Sequence, residues 1–302
     1  DRRVDFLDGL VLPRAVAPTR GGALVIAPPD VLFCRDTDGD GRADETTVVD
    51  TGLGGLDNPE HAPNGPPPSP DNAFACARHD RRYRFVDGSW VVERVRAVGQ
   101  WGLTQDDRGR LYHDTNSDPL RVSLVPPSEA LRNPLHGAVD GSDVGVPTAR
   151  LVLPSRVTPG VNRGYRPETL RDDFTLRSVT AACAPWVFRG DGLRETDRGS
   201  AFVCEPAANL VQRYELAPGV DGGVVARHAP AEAARDADGR PVTRPVDWLT
   251  STDERFRPVA LAGGPDGALY VVDMYRGILQ HRVFMTSWLR TQVLALEQSA
   301  FG

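Results

Sequence analysis

The stretch "CRDTDGDGRADE", residues 34–45, sets Asp36, Asp38 and Asp40 at alternate positions, then Gly41, with Asp44 three residues further on. Hard carboxylate oxygens at positions one, three, five and nine, with a Gly at six that permits a sharp turn, form the first part of a calcium loop. Asp36, Asp38, Asp40 and Asp44 are the expected side-chain ligands, and Arg42 offers its carbonyl. The helix-flanked version of this loop would place Glu at position twelve, where Thr47 stands, and no strong helical pattern borders the stretch. It therefore reads as a hairpin between strands. Four carboxylates this close repel one another unless a cation compensates them, so the expectation is Ca²⁺ in a structural role. The alternative is a solvated acidic turn.

His61, in "NPEHAPNG", is the candidate general base, because an imidazole can take a proton from an alcohol near neutral pH. A histidine that only buttresses its loop is the competing reading. Arg257 in "ERFRPVAL" and Arg276 in "DMYRG" could grip carboxylates or carbonyls with a planar, forked guanidinium. Gln100, beside Trp101, opens one strand pair, and Asn116 and Asp118 in "TNSDP" leave it. Local Asx turns would account for the last two without any ligand.

Charge and cysteine content remove whole classes of function. A net charge of −6 is spread evenly, with no basic face of the kind nucleic acids require. Every basic residue is Arg and none is Lys, which excludes a Schiff-base lysine and the lysine of a phosphate loop. The four cysteines, Cys34, Cys76, Cys183 and Cys204, form no C-x-x-C pair, so neither a zinc knuckle nor covalent haem attachment is encoded. Cys76 and His79 make a C-x-x-H with no second pair to complete it. Cys183 and Cys204 fall on segments that could be adjacent strands of one hairpin, which leaves both a disulfide and two free thiols open. No stretch is apolar for long enough to span a bilayer, and the chain opens with "DRRVDFLDGL" rather than a signal peptide.

The elements that must position these residues are short strands. Gly and Pro are plentiful, at 30 and 26, and long runs of helix formers are scarce. Five stretches share one grammar of turn, strand, polar break and strand: "GGALVIAPPDVLFCRD", "DNAFACARHDRRYRF", "RGRLYHDTNSDPLRV", "GSAFVCEPAANLVQRY" and "DGALYVVDMYRGILQHR". A further apolar stretch precedes most of them, which gives the strand order of a propeller blade. Their anchors, Leu24, Phe74, Leu111, Phe202 and Leu269, lie roughly 40 to 90 residues apart, so the wider gaps carry insertions in a blade repeat of about 40–50. Residues 133–150 and 228–245 are the candidate insertions. The expected class is all-β, a β-propeller with about five blades recognisable over residues 1–290. In the tail, 291–302, Leu296 continues the helical spacing of Leu289 and Val293.

The motifs "FLDGLVLPRAVAP", "FCRDTDGDGRADETTVV", "NPEHAPNG", "GQWGLTQDDRGRLYHDTNSDPL", "NRGYRPETL", "FVCEPAANLVQR" and "STDERFRPVALAGGPDGALYVVDMYRGILQHR" resemble the membrane-bound dehydrogenase domain of planctomycete-type bacteria. That domain is related to the propellers of soluble quinoprotein glucose and sorbosone dehydrogenases. The resemblance runs from about residue 5 to 290 and implies a six-bladed propeller in the full protein, whose usual first blade is not evident here. It implies an exported, periplasmic or cell-surface oxidoreductase acting on a sugar or other alcohol. His61 would take the hydroxyl proton, and Gln100, Asn116, Asp118, Arg257 and Arg276 would line a pyrroloquinoline quinone site. A fused or separate cytochrome c would receive the electrons. This chain departs from the pattern in two places. It has no Lys to stand beside a quinone, and "PPPSPDNAF" places prolines where relatives carry an apolar strand, so that strand should be weak or at an edge. The rival function is a noncatalytic, carbohydrate-binding or scaffold propeller; a propeller hydrolase would need calcium on the central axis.

Overall fold

The computed structural model describes the chain apart from residues 1–2, 55, 66–68, 70, 133–140, 148, 232–234, 236–237, 242–243 and 296–302. The chain divides into two compact units, Asp1–Leu111 with Ser123–Asp143, and Tyr112–Val122 with Val144–Gly302.

In the first unit β1 (Ala15–Thr19), β2 (Gly22–Ala27), β3 (Asp30–Arg35) and β4 (Glu45–Thr51) form a four-stranded sheet in chain order. Every pairing in it is antiparallel. The sequence of β2, GALVIA, is apolar at consecutive positions because both of its faces are covered. Leu24 and Ile26 join Val31, Phe33, Phe74 and Tyr83 on one side, and Ala23, Val25 and Ala27 join Phe6, Leu7 and Leu10 on the other. A second sheet has the order β5 (Ala73–Ala75), β6 (Arg81–Val86), β7 (Ser89–Arg94). Trp90 of β7 packs on Phe33, Phe74 and Phe85, with centroids 5.3, 6.1 and 5.4 Å away. The strand that follows the proline run, β5, is three residues long and lies at its sheet's edge, the weak edge strand expected after those prolines. The prolines at 66–68 themselves lie outside the described residues.

A third sheet is ordered β11-β10-β9-β8; its strands are β8 (Leu103–Gln105), β9 (Leu111–Thr115), β10 (Asp118–Ser123) and β11 (Val144–Gly145). In the second unit β12 (Cys183–Val187), β13 (Ala201–Glu205), β14 (Leu210–Pro218) and β15 (Val224–His228) again follow chain order, with β16 (Leu249–Thr250) paired to β14. The last sheet is the hairpin of β17 (Pro258–Gly263) and β18 (Leu269–Asp273). Each of the five repeated stretches thus supplies strands to a different sheet, and the strands of each sheet, β16 apart, are neighbours in chain order. This is the all-β architecture of the β-propeller class. The candidate insertions at 133–150 and 228–245 fall in good part outside the described residues. The helical spacing near the end is realised as a helix at Ser287–Ala295 that buries Leu289. It begins four residues before the expected tail, and Leu296 lies outside the described residues.

Candidate functional site

Within the first unit, the chain leaving β4 and the connection between β5 and β6 enclose a polar cleft of about 370 Å³. Gly52, Leu53, Gly54, Asp57, Asn58, His61 and Pro63 line it from one segment, and Arg78, His79, Asp80 and Arg81 from the other. Local chemistry explains why both segments are held. Gly52 turns the chain out of β4 at φ 81°, where a Cβ would be strained. Leu53 is buried, and its N–H donates to the Pro29 carbonyl at 2.9 Å. Pro59 starts a single 3₁₀ turn that ends at His61, with the proline placed where its absent N–H is not needed. Asn64 then fastens the segment. Its backbone exchanges hydrogen bonds with Ala77, and its side chain donates to the carbonyls of Ala62 and Gln100 at 3.2 and 2.9 Å.

His61 is exposed on the cleft. His79 is 7% exposed and lies 2.7 Å through Nε2 from the Tyr83 hydroxyl, which donates to Asp50 Oδ2 at 3.0 Å. One hydroxyl has one proton, so the phenolic oxygen must accept from His79, which fixes the Nε2–H tautomer. Asp50 Oδ1 in turn accepts from Arg81 at 2.5 Å. Burial, then the Arg81 charge, lowers the His79 pKa, and burial raises that of Tyr83, so the histidine and tyrosine are neutral near pH 7 and the relay ends on one carboxylate–guanidinium pair. Cys76, beneath it, is pushed up to about 12 by burial and is inert as a nucleophile. Asp80 pairs with Arg94 at 3.0 Å. Arg78 differs from these: it has φ 59°, its N–H is tied to the Val98 carbonyl at 3.0 Å, and its guanidinium meets no carboxylate among the described residues. A non-glycine residue held in the left-handed region marks a position whose surroundings over-determine it.

The acidic loop joins β3 to β4. It brings Asp36, Asp38 and Asp40 together, each offering an oxygen within 4.8 Å of the others. Asp36 accepts N–H bonds from Gly39 and Gly41 at 2.7 and 2.8 Å, Asp38 from Asp40 at 3.2 Å, and Asp40 from Arg42 at 2.7 Å. The bonds from Gly41 and Gly39 lower the Asp36 pKa. Gly41, at φ 93°, has Val4 3.2 Å from where a Cβ would stand, so the position rejects side chains on two counts. Asp44 is not in this cluster: it turns to Thr37, accepting from its N–H at 3.0 Å and its hydroxyl at 2.7 Å. A donor set of three carboxylates suits a hard cation such as Ca²⁺.

Of the other expected site residues, Gln100 serves the cleft through its backbone carbonyl. The rest lie in the second unit. The Asn116 carbonyl accepts from the Ala182 N–H at 3.1 Å, and Asp118 pairs with Arg121 and, at 3.4 Å, with Arg150. Arg257 donates from Nε to the Arg276 carbonyl at 3.0 Å, and from its two terminal nitrogens to the carbonyls of Pro206 and Gly277 at 2.5 and 2.6 Å. Its fork is filled by backbone, and burial lowers its pKa to about 10. Arg276 is exposed. The second unit also holds a residue that pattern reading passed over. Glu205, at the end of β13, is fully buried. Its Oε2 accepts the N–H groups of Thr180 and Ala181 at 3.1 Å each, and its Oε1 meets no hydrogen-bond partner among the described residues. Burial, opposed by those donors, raises its pKa to about 7. The available signal was a charge embedded in the apolar run "AFVCEPAANLV".

The chain belongs to the family described as Domain of unknown function (DUF7133), which matches residues 1–301. No curated protein sequence matches it. Among solved structures it is similar to virginiamycin B lyase from Staphylococcus aureus, at 11% identity over 87% of this chain and 78% of that one, with a TM-score of 0.38. It is similar to the PQQ domain of pyranose dehydrogenase from Coprinopsis cinerea, at 15% identity over 89% and 91%, with a TM-score of 0.37. It is also similar to the calcium structure of a family AA12 enzyme from Trichoderma reesei, at 14% identity over 88% and 91%, with a TM-score of 0.36. At these levels no residue role passes from those proteins to this one. Among the described residues no helix is long and apolar enough to cross a membrane.

Proposed function

We propose that the chain is the propeller domain of an exported oxidoreductase that binds a sugar or other alcohol in the His61 cleft, with His61 accepting the hydroxyl proton. The observation that carries this reading is the cleft's composition: the exposed His61 imidazole, the Arg78 guanidinium, which meets no carboxylate among the described residues, and His79, bonded behind the cleft to Tyr83, line one polar space of about 370 Å³. Asp57 and the imidazoles can accept or donate to hydroxyls. The resemblance to the membrane-bound dehydrogenase domain of planctomycete-type bacteria supports the same class of chemistry, with a cytochrome c as the downstream partner.

A pyrroloquinoline quinone is poorly matched by the residues first assigned to it. Its carboxylates need cations, yet the Arg257 fork is filled by three carbonyls and Asp118 is a carboxylate already paired with two arginines. No step is therefore drawn through a quinone. Calcium fits better, as a structural ion on Asp36, Asp38 and Asp40, with Asp44 bracing the loop through Thr37. The commitment of Arg257 to its own backbone favours a second reading, a noncatalytic propeller whose cleft binds carbohydrate.

The test is turnover of a sugar and alcohol panel by the full-length protein with an artificial electron acceptor. His61→Ala should lower turnover by about 10² to 10⁴-fold with an unchanged melting temperature. Turnover that survives the substitution would remove His61 from the chemistry. Saturable sugar binding by a protein that turns over no member of the panel would establish the noncatalytic reading.

A further inference from the structure

We infer that Cys183 and Cys204 form a disulfide when the chain folds in an oxidising compartment. They are directly opposed Cα partners in the antiparallel β12–β13 pair. Opposed residues of such a pair have Cα atoms about 4.5–5.5 Å apart and side chains on the same face, inside the 4.4–6.8 Å range that a disulfide spans. Both residues are buried, at 9% and 0% exposure, and the Cys183 thiol donates to the Pro258 carbonyl at 3.9 Å.

The surroundings favour closure with little movement. The β12–β13 register shifts just after Cys183, between it and Trp186, and Ala184 sits at φ 53°, so the ladder loosens where a covalent bond would hold it. On the near side, Glu205 follows Cys204 directly and holds the N–H groups of Thr180 and Ala181. The two segments are therefore already fixed side by side. The remaining thiols are not arranged as a pair. Cys34 accepts from the Thr46 hydroxyl at 3.7 Å and packs in one apolar cluster, while Cys76 packs in another.

The step requires an oxidant of the disulfide class. One thiolate attacks its S–S bond, forming a mixed disulfide and releasing one thiol; the second cysteine then displaces the other half. One S–S bond forms and one is reduced, with two protons passing from the cysteines to the released thiols. The neighbouring Cys204 thiol and then burial raise the Cys183 pKa, so this chemistry belongs to folding, before the pair is enclosed.

The experiment refolds the full chain with oxidised glutathione, alkylates it after unfolding, and maps peptides without reduction. The expected result is a single linked peptide joining 183 to 204, lighter by two hydrogens, with Cys34 and Cys76 alkylated. The bond closes a loop of roughly twenty residues, so the oxidised protein should melt about 5 °C or more above the reduced one. Cys204→Ser should abolish both the linked peptide and the reductant-sensitive part of the melting temperature, while melting close to the reduced wild type. Four alkylated cysteines after oxidative refolding, or a link through Cys34 or Cys76, would overturn the assignment.

Discussion

Replacing Glu205 by Gln isolates the effect of a single buried charge. The carboxyl is fully buried, and one of its oxygens holds the N–H groups of Thr180 and Ala181. Burial raises its pKa from the ordinary 4.5 to about 7. Because the folded chain holds this proton more tightly than the unfolded chain does, the stabilisation that comes with it is complete below about pH 4.5. It is lost as the pH rises towards 7 and is absent above that. At about 1.4 kcal/mol per pH unit, the loss is on the order of 3 kcal/mol. Glu205→Gln keeps the shape and the acceptor for Thr180 and Ala181 while leaving no charge to desolvate. Urea unfolding of both proteins at a series of pH values should therefore give nearly equal stabilities near pH 4.5. By pH 8 the variant should be ahead by about 3 kcal/mol, reached along a sigmoid centred between the two values. A difference that stays constant from pH 4.5 to 8 would refute the reasoning, because it would mean that Glu205 titrates alike in the folded and unfolded chains.

Three further outcomes are expected. Chelation should lower the melting temperature of the calcium-loaded protein, by a contribution of about 2.7 kcal/mol at a hundredfold excess of ion over its dissociation constant, and Asp38→Ala should make the protein indifferent to chelator; calorimetry with and without Ca²⁺ reads both. Arg213→Ala should cost about 3–5 kcal/mol in denaturant unfolding, because the Asp197 carboxylate it pairs with is 2% exposed and is left buried with fewer partners. Tyr83→Phe removes the acceptor of the His79 Nε2–H and a donor to Asp50, so it should cost about 1–3 kcal/mol and move the His79 ring N–H resonance in NMR spectra.

Much of the fold is legible because its signals are local. Each repeated hairpin is specified within about fifteen residues by turn residues at its ends and apolar residues between them, so all five were found and each sits in its own sheet. The weakness of β5 was legible in the same way, since a proline run removes donors wherever the strand lies. The acidic loop was readable as far as Asp36, Asp38 and Asp40, because an alternating spacing around Gly41 dictates its own turn. Asp44 was not, because its partner is a hydroxyl seven residues back, a choice that spacing does not constrain. The candidate site was legible only at His61. His79 acquires its role from Tyr83 and, through it, from Asp50, which lies 33 residues from Tyr83; that pairing exists only once β4 and β6 are packed. Arg257 looked available because an arginine's sequence neighbours do not reveal that three carbonyls will converge on it.

The grip of Arg257 on Pro206, Arg276 and Gly277 cannot be reproduced by a lysine, whose single ammonium is not a planar fork. Arginine stands wherever a lysine could in the 302 residues, so these residues carry no side-chain primary amine. Reductive methylation and amine-directed cross-linking therefore find no side-chain amine in these residues. Covalent handles on its side chains enter instead through other groups, among them carboxylates, thiols, phenols and the guanidinium groups themselves.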